Sequence, residues 1–160
     1  MDSEELNCLF LNNPLTKAKY TNKIYSVDNI DNIIRDKFYV INGLPEKSDS
    51  SLVDHWYILL SYGHFDSPFS NSLCLIDSFG RFPNTNFQKI LAKESDRPLY
   101  YLNVKLQDER ATSCGLMVAT WAAGFSLDMG PREILHSIFN FNKNCTTPLE
   151  KPFIVANTLY

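Results

Sequence analysis

The amino-acid sequence predicts an α+β fold, in which a central mixed or antiparallel sheet packs on a buried helix with further helices beside it. Two apolar, β-rich runs at residues 55–62 and 73–79 are separated by a loop of ten residues, as expected of an antiparallel pair. Residues 114–125 are apolar on nearly every side, which predicts a helix that lies inside the protein. The length of 160 residues and the hydrophobic fraction of 44% allow a single domain over residues 1–160.

The first predicted element is a short amphipathic helix at residues 27–38. Val27 and Ile30 begin an apolar pattern at helical spacing there, and Asp28 is placed to cap the first turn. A loop rich in glycine, proline, serine and charged residues follows at 42–51 and separates this helix from the first strand.

The second half of the chain alternates helices and strands. Phe87, Ile90 and Leu91 share one face of a predicted helix at residues 84–95. A strand, a helix that begins near a proline and a short last strand are expected at 98–106, 129–142 and 153–157. The resulting order of strands, helix, strand, buried helix and helix is typical of the α+β class.

Charge and hydropathy argue against two classes of partner. The formal net charge of -3 gives no reason to expect binding to nucleic acid or to an anionic membrane. No apolar run approaches the roughly 20 residues that span a bilayer. The acidic first ten residues lack the basic and apolar regions of a signal peptide. We therefore expect an intracellular protein that is not secreted and has neither a membrane nor a nucleic-acid partner.

The cysteines are spaced for neither a metal site nor an obvious disulfide framework. Cys8, Cys74, Cys114 and Cys145 form no CxxC pair, so a zinc site of the usual spacing is not expected. In a reducing compartment these residues are predicted to be free thiols. We expect neither a metal nor another cofactor.

Cys114 stands where a polar loop turns into the apolar helix, and it is either a small core residue or a nucleophile. A helix N-terminus lowers the pKa of a thiol, and the thiolate is the form that attacks. Gly115 leaves room for a substrate backbone to approach. The backbone N–H groups of a helix start are also suited to bind a developing oxyanion.

A nucleophilic cysteine needs a base, and His55 is the best placed of three histidines. His64 lies in a polar loop and is expected to be solvated, while a structural role is expected for His136 on its helix. His55 begins one strand and Asp77 ends the next, so an antiparallel pairing brings them together. Buried cysteines and an aspartate before a turn are both common. The residues alone therefore leave both interpretations open.

The motifs "DHWYILL", "CLIDSFGRF" and "LQDERATSCGLMVATWAAGF" resemble the adenain family of cysteine proteases, the adenovirus-type maturation proteases. The pattern is also similar to that of the Ulp-type proteases, which remove ubiquitin-like proteins. The resemblance covers residues from about 53 to 125. It implies an adenain- or Ulp-like fold with the nucleophile on the central helix.

The resemblance also implies a role for each residue of the motifs. His55, followed by Trp56, is the base, Asp77 orients it, and Cys114 is the nucleophile. Gln107 helps to form the oxyanion hole, and its distance of seven residues from Cys114 (114 − 107 = 7) is that of adenain, whereas Ulp proteases usually have six. Adenain has glutamate where this chain has Asp77. Trp56 is expected to pack and to contribute to substrate access, and Gly115 to adjoin the substrate.

By the same resemblance, the protein is a cysteine endopeptidase that cleaves capsid or other virion precursor proteins after glycine in extended segments. It is expected to act in the virion or the host cytoplasm, on a protein substrate, as a monomer. Adenovirus-type enzymes are stimulated by DNA and by a disulfide-linked peptide, whose cysteine partner lies between the acidic residue and the nucleophile. No cysteine occurs between Cys74 and Cys114 here, so we expect no disulfide-linked peptide, and the acidic charge balance argues against stimulation by DNA.

Three alternatives remain open from the sequence. The first is a Ulp-type isopeptidase that removes ubiquitin-like modifiers, against which the seven-residue spacing and the small size of the chain argue. The second is a non-enzymatic binding or capsid-associated module that keeps the fold, although every chemical position is filled. The third is an acyltransferase of the same fold with the same triad.

Overall fold

The computed structural model describes residues 2–43, 55–65, 68–78, 80, 85–94, 97–106, 114–139 and 153–156. Its helices are α1 (Ser3–Asn12), α2 (Pro14–Lys17), α3 (Thr85–Glu94), α4 (Cys114–Ser126) and α5 (Pro131–Ser137). Its strands are β1 (Tyr20–Tyr25), β2 (Lys37–Asn42), β3 (Trp56–Ser61), β4 (Leu73–Ile76), β5 (Leu99–Leu102) and β6 (Phe153–Ala156).

The described strands form one mixed sheet in the order β1-β2-β3-β4-β5-β6. β3 lies antiparallel to both β2 and β4, whereas β1 runs parallel to β2 and β4 runs parallel to β5. The antiparallel pairing predicted for the two apolar runs is confirmed, with Ile58 opposite Ile76. The chain thus has the mixed α and β architecture expected of its class.

Helices cover both faces of the sheet because its central strands are apolar on both sides. On one face, Phe38 and Ile58 pack with Trp121 of α4 in a cluster that α1 and α5 complete. On the other face, Tyr57 and Leu59 pack against Phe87 of α3. The nucleophile predicted from the sequence therefore lies in the first of these helical layers.

α4 is enclosed over most of its surface, as the sequence predicts, and Leu116 is the one exposed residue of the helix. Val118, Trp121 and Phe125 face the core, but Leu116 is 64% exposed. The helix lies on the face of the sheet against β3, and α1, α2 and α5 pack beside it. Next to α5 the packing is close, since a Cβ at Gly124 would lie 2.7 Å from Cγ1 of Ile134.

The helix predicted at residues 27–38 is wrong. Only a 3-10 turn forms at Val27–Asn29, and the backbone then enters β2 at Lys37. Asn32 and Asp36 adopt left-handed backbone conformations, with φ of 45° and 62°, which a continuous right-handed helix excludes. Val27, Ile30 and Ile33 instead pack on the sheet face that α3 covers.

α1 is an element that the sequence analysis did not predict. The Asp2 side chain caps it by accepting the Glu5 backbone N–H at 2.8 Å. Leu6 and Phe10, one helical turn apart, are fully buried, and the helix contacts β1 and α4. The N-terminal segment is therefore part of the layer that carries Cys114.

No helix in the described part of the chain is long and apolar enough to cross a membrane. Among the described residues, no three His, Cys, Asp or Glu side chains are grouped to hold a metal ion. Cys8, Cys74 and Cys114 are free thiols, while Cys145 lies outside the described residues.

Candidate active site

His55 is held at the entrance of β3 by the sheet itself. Its carbonyl oxygen accepts the Gly43 backbone N–H at 2.9 Å, and the next residue, Trp56, pairs with Asn42 of β2. The residue is only 6% exposed. The imidazole is therefore carried on a fixed backbone at the edge of the core.

Asp77 directly follows β4 and is fully buried. Its carbonyl oxygen accepts the Gly80 N–H at 2.9 Å, which closes a turn. Gly80 has a φ of 70°, and a Cβ there would lie 2.8 Å from the Val104 carbonyl oxygen, so the turn requires glycine. A bond of 2.7 Å from the Leu106 N–H to the Ser78 carbonyl oxygen fixes the turn further.

The Asp77 carboxylate holds the His55 ring from one side. Oδ1 of Asp77 hydrogen bonds Nε2 of His55, and both groups are shielded from solvent. With Nε2 engaged in this way, Nδ1 is the ring nitrogen available to the thiol. The antiparallel pairing of β3 and β4 thus brings His55 and Asp77 together, as the sequence predicts.

Cys114 is the first residue of α4 and is 5% exposed. Its sulfur is hydrogen bonded by the His55 side chain and by the backbone N–H groups of Trp56 and Gly115. Burial by itself raises the pKa of this thiol, but these three donors and the charge of His55 outweigh burial and lower the pKa below its usual value.

The pKa of His55 moves in the opposite direction. Burial disfavours the imidazolium, but the hydrogen bonds to Asp77 and Cys114 and the negative charge on both partners raise the pKa to about 9. A thiol with a lowered pKa beside an imidazole with a raised one favours the thiolate–imidazolium pair.

A second buried cysteine shows how burial in the same core shifts the pKa of a thiol that lacks these hydrogen-bond donors. Cys74 in β4 is fully buried in the same cluster of core residues, and burial alone raises the pKa of its thiol. Two buried cysteines in one core thus have pKa values shifted in opposite directions. The difference is caused by the donors around Cys114.

The remaining predicted site residues lie as follows. Trp56 is buried, and with Met117 and Val118 its side chain lines a narrow apolar crevice on the inner side of α4. Gly115 is buried in the first turn of α4. Gln107 lies outside the described residues, so its part in an oxyanion hole stays a prediction.

The backbone N–H of Trp56, which donates to the sulfur, is not among the site groups predicted from the sequence. No side-chain pattern encodes a main-chain donor. It follows instead from the pairing of β3 with β2 and from the position of α4 across β3.

The other two histidines lie away from this cluster. His64 is exposed at the opposite end of β3, as predicted, where with Lys19, Asp36 and Phe65 it borders an open pocket. His136 is half-buried in the last turn of α5. Of the three, only His55 bonds the Cys114 sulfur.

The two shifted pKa values predict a bell-shaped pH profile for any reaction that uses both groups. Activity should rise with pH as the Cys114 thiol loses its proton, and this rise should occur at a pH below the usual pKa of a thiol. Activity should fall near pH 9, where the His55 imidazolium loses its proton. Asp77→Asn removes a negative charge that raises the His55 pKa, so the alkaline limb should move to lower pH. An unchanged alkaline limb in the kcat/KM profile would contradict this assignment.

The same shift affects stability. Because the folded protein binds the His55 proton more tightly than the unfolded chain, this proton stabilises the fold fully below about pH 6.5. That stabilisation is lost as the pH rises through about 9.

The likeness to the adenain family rests on the motifs of residues 53–125 and on the order of the residues within them. The geometry of His55, Asp77 and Cys114 is an independent observation of the structure. No protein-family model matches the chain, and neither does any curated protein or any solved structure.

Proposed function

We propose that the protein is a cysteine protease with Cys114 as nucleophile, His55 as general base and acid, and Asp77 as the residue that orients His55. The observation that carries this proposal is the chain of hydrogen bonds from Asp77 through His55 to the Cys114 sulfur at the start of α4. Two of its members have pKa values shifted in the directions that nucleophilic catalysis requires.

In the proposed first step, the Cys114 thiolate attacks the carbonyl carbon of a peptide bond. A carbon–sulfur bond forms, and the carbonyl oxygen becomes an oxyanion. As the intermediate collapses, the carbon–nitrogen bond breaks and His55 gives its proton to the leaving amine. A thioester on Cys114 and a neutral imidazole remain.

In the second step, His55 accepts a proton from a water molecule, which attacks the thioester carbon. The carbon–sulfur bond breaks, the acid product leaves, and the thiolate–imidazolium pair is restored. Asp77 keeps its bond to Nε2 throughout, so Nδ1 stays directed to the sulfur and to the reacting atoms.

The start of α4 also supplies positive potential where negative charge develops. The first N–H groups of a helix have no acceptor within the helix. The Gly115 and Trp56 N–H groups bond the sulfur, and the Cys114 N–H is the donor proposed for the oxyanion. By resemblance to adenain, the side-chain amide of Gln107 is the second donor.

The adenain-like motifs favour a viral-maturation protease. The proposed substrates are capsid or other virion precursors, cut after glycine in extended segments, and the proposed setting is the virion or host cytoplasm. The proposed enzyme acts as a monomer without a cofactor, a disulfide-linked peptide or DNA.

Purified protein should cleave a substrate peptide with an internal Gly-Gly or Gly-Ala site in the presence of a reductant. It should do so without an added activator peptide or DNA. A ubiquitin-like fusion with an intact C-terminal tail is the parallel substrate. Cleavage of the peptide alone supports the proposal, whereas release of the modifier alone identifies an isopeptidase. Strict dependence on a thiol-linked peptide would overturn the proposed independence from an activator.

Natural substrates can be identified by comparing the intact chain with a variant that lacks the Cys114 thiol. The chain and its Cys114→Ala form are each co-expressed with candidate virion structural proteins, and cuts are mapped by mass spectrometry. Fragments that appear only with the intact cysteine support the assignment. The protease proposal fails if no cut in these proteins depends on Cys114 and if neither the glycine-containing peptide nor the ubiquitin-like fusion is cleaved.

A further inference from the structure

A hydrogen bond links the N-terminal helix to the residue beside the base. Nε1–H of Trp56 donates to Oγ of Ser3 at 3.0 Å, across 53 residues of sequence. The Trp56 residue is only 6% exposed, whereas Ser3 is partly exposed as the first residue of α1. The bond therefore lies at the border between the core and the surface.

Trp56 connects this bond to the thiol. Its backbone N–H bonds the Cys114 sulfur, while its side chain lines an apolar crevice together with Met117 and Val118 of α4. The pairing of β3 with β2 sets the main chain of Trp56, and a hydrogen bond that holds the buried indole restricts the movement of the same residue further. The Trp56 backbone N–H, which donates to the sulfur, is therefore held in place partly by the hydrogen bond between the indole and Ser3.

The Ser3 hydroxyl is itself on a fixed support. Asp2 caps α1 through the Glu5 N–H, and its carbonyl oxygen accepts the Leu6 N–H at 3.0 Å. Leu6 and Phe10 anchor the helix in the core. An acceptor on this helix is therefore presented to the indole at a set position.

We propose that Ser3 is a positioning residue of the active site: through the Trp56 indole it orients the Trp56 backbone N–H that stabilises the Cys114 thiolate. Its effect on peptide cleavage rests on the proposed function. Its effect on thiol reactivity does not, because alkylation of Cys114 requires only the thiolate.

The direct test is the rate of Cys114 alkylation by iodoacetamide as a function of pH in wild-type protein and Ser3→Ala. Trypsin releases Cys114 in a peptide of residues 111–132, where it is the only cysteine, so its labelling is read separately by mass spectrometry. Loss of one hydrogen bond predicts a roughly three- to tenfold slower reaction at mildly acidic pH. The acid limb of the profile should move to higher pH.

Two matched variants separate positioning from general loss of stability. Ser3→Thr keeps the hydroxyl and should restore the wild-type profile. Asn7→Ala removes a different bond of α1, in which Oδ1 of Asn7 accepts the Tyr20 hydroxyl at 2.6 Å, and should leave the profile unchanged. A shift in Asn7→Ala equal to that in Ser3→Ala would overturn the proposal.

A double-mutant cycle with Trp56→Phe closes the test, because phenylalanine keeps an aromatic ring but has no N–H to donate. Ser3→Ala should then have no further effect on the alkylation rate. Additive effects of the two substitutions, or a Ser3→Ala profile identical to wild type, would refute the proposed role. A chain whose Cys114 is reactive but that cleaves no peptide would refute only the protease function.

Discussion

Cys114→Ala is expected to abolish peptide cleavage, a loss on the order of 10⁶ in kcat. The substitution removes the only atom that forms the thioester, and no neighbouring group can replace it. The fold should persist, since the residue lies at the first position of α4 and alanine is well tolerated in helices. Turnover of a peptide with an internal glycine site, together with the far-ultraviolet circular dichroism spectrum, checks both statements.

Cys8→Ala is the matched control for this variant. Cys8 is an exposed free thiol on α1. Its removal should leave kcat and KM unchanged. Full activity in Cys114→Ala, or an equal loss in Cys8→Ala, would contradict the assignment of the nucleophile.

His55→Ala is expected to lower kcat by roughly 10⁴, because it removes the general acid and base of both steps. It also removes the hydrogen bond and the positive charge that lower the pKa of Cys114. The thiol should therefore react with iodoacetamide only at the higher pH typical of an ordinary or buried thiol. Cleavage kinetics and the pH dependence of alkylation are two separate readouts of one substitution.

His64→Ala is the control, since His64 is exposed at the opposite end of β3. It should change neither cleavage nor alkylation. A His55→Ala protein whose Cys114 still reacts at mildly acidic pH would show that the imidazole does not lower the thiol pKa.

The meeting of His55 and Asp77 follows from a strong sequence signal. Two apolar, β-rich runs with a short loop between them predict an antiparallel pair, and such a pair brings the start of one strand beside the end of the other. The position of Cys114 at the start of a helix is equally readable, because a polar segment changes to an apolar one there. Both are local sequence patterns, and the antiparallel pairing that the first predicts is enough to bring His55 and Asp77 together.

The segment before β2 shows where local pattern fails. Val27, Ile30 and Phe38 fit helical spacing, yet the first two pack on one sheet face and the third on the other. The left-handed conformations of Asn32 and Asp36 that allow this have no unique sequence signature. Tertiary packing on the sheet overrides the periodicity.

α1 is absent from the elements predicted from the sequence, although its sequence contains two signals of a helix. Asp2 is a favourable N-cap, and Leu6 and Phe10 are spaced by one turn. The bond between Ser3 and Trp56 has no such signal, since it joins residues 53 positions apart. The groups that position the thiolate were therefore the least predictable part of the site.

The thiolate absorbs in the ultraviolet, and the absorbance difference between wild type and Cys114→Ala isolates its signal. Measured against pH, this difference should already be present below the usual thiol pKa of about 8.5 and should disappear only as the pH falls through the lowered pKa of Cys114. A difference signal that emerges only at or above about pH 8.5 would mean that Cys114 is an ordinary thiol. The thiolate–imidazolium pair would then not exist in the resting protein.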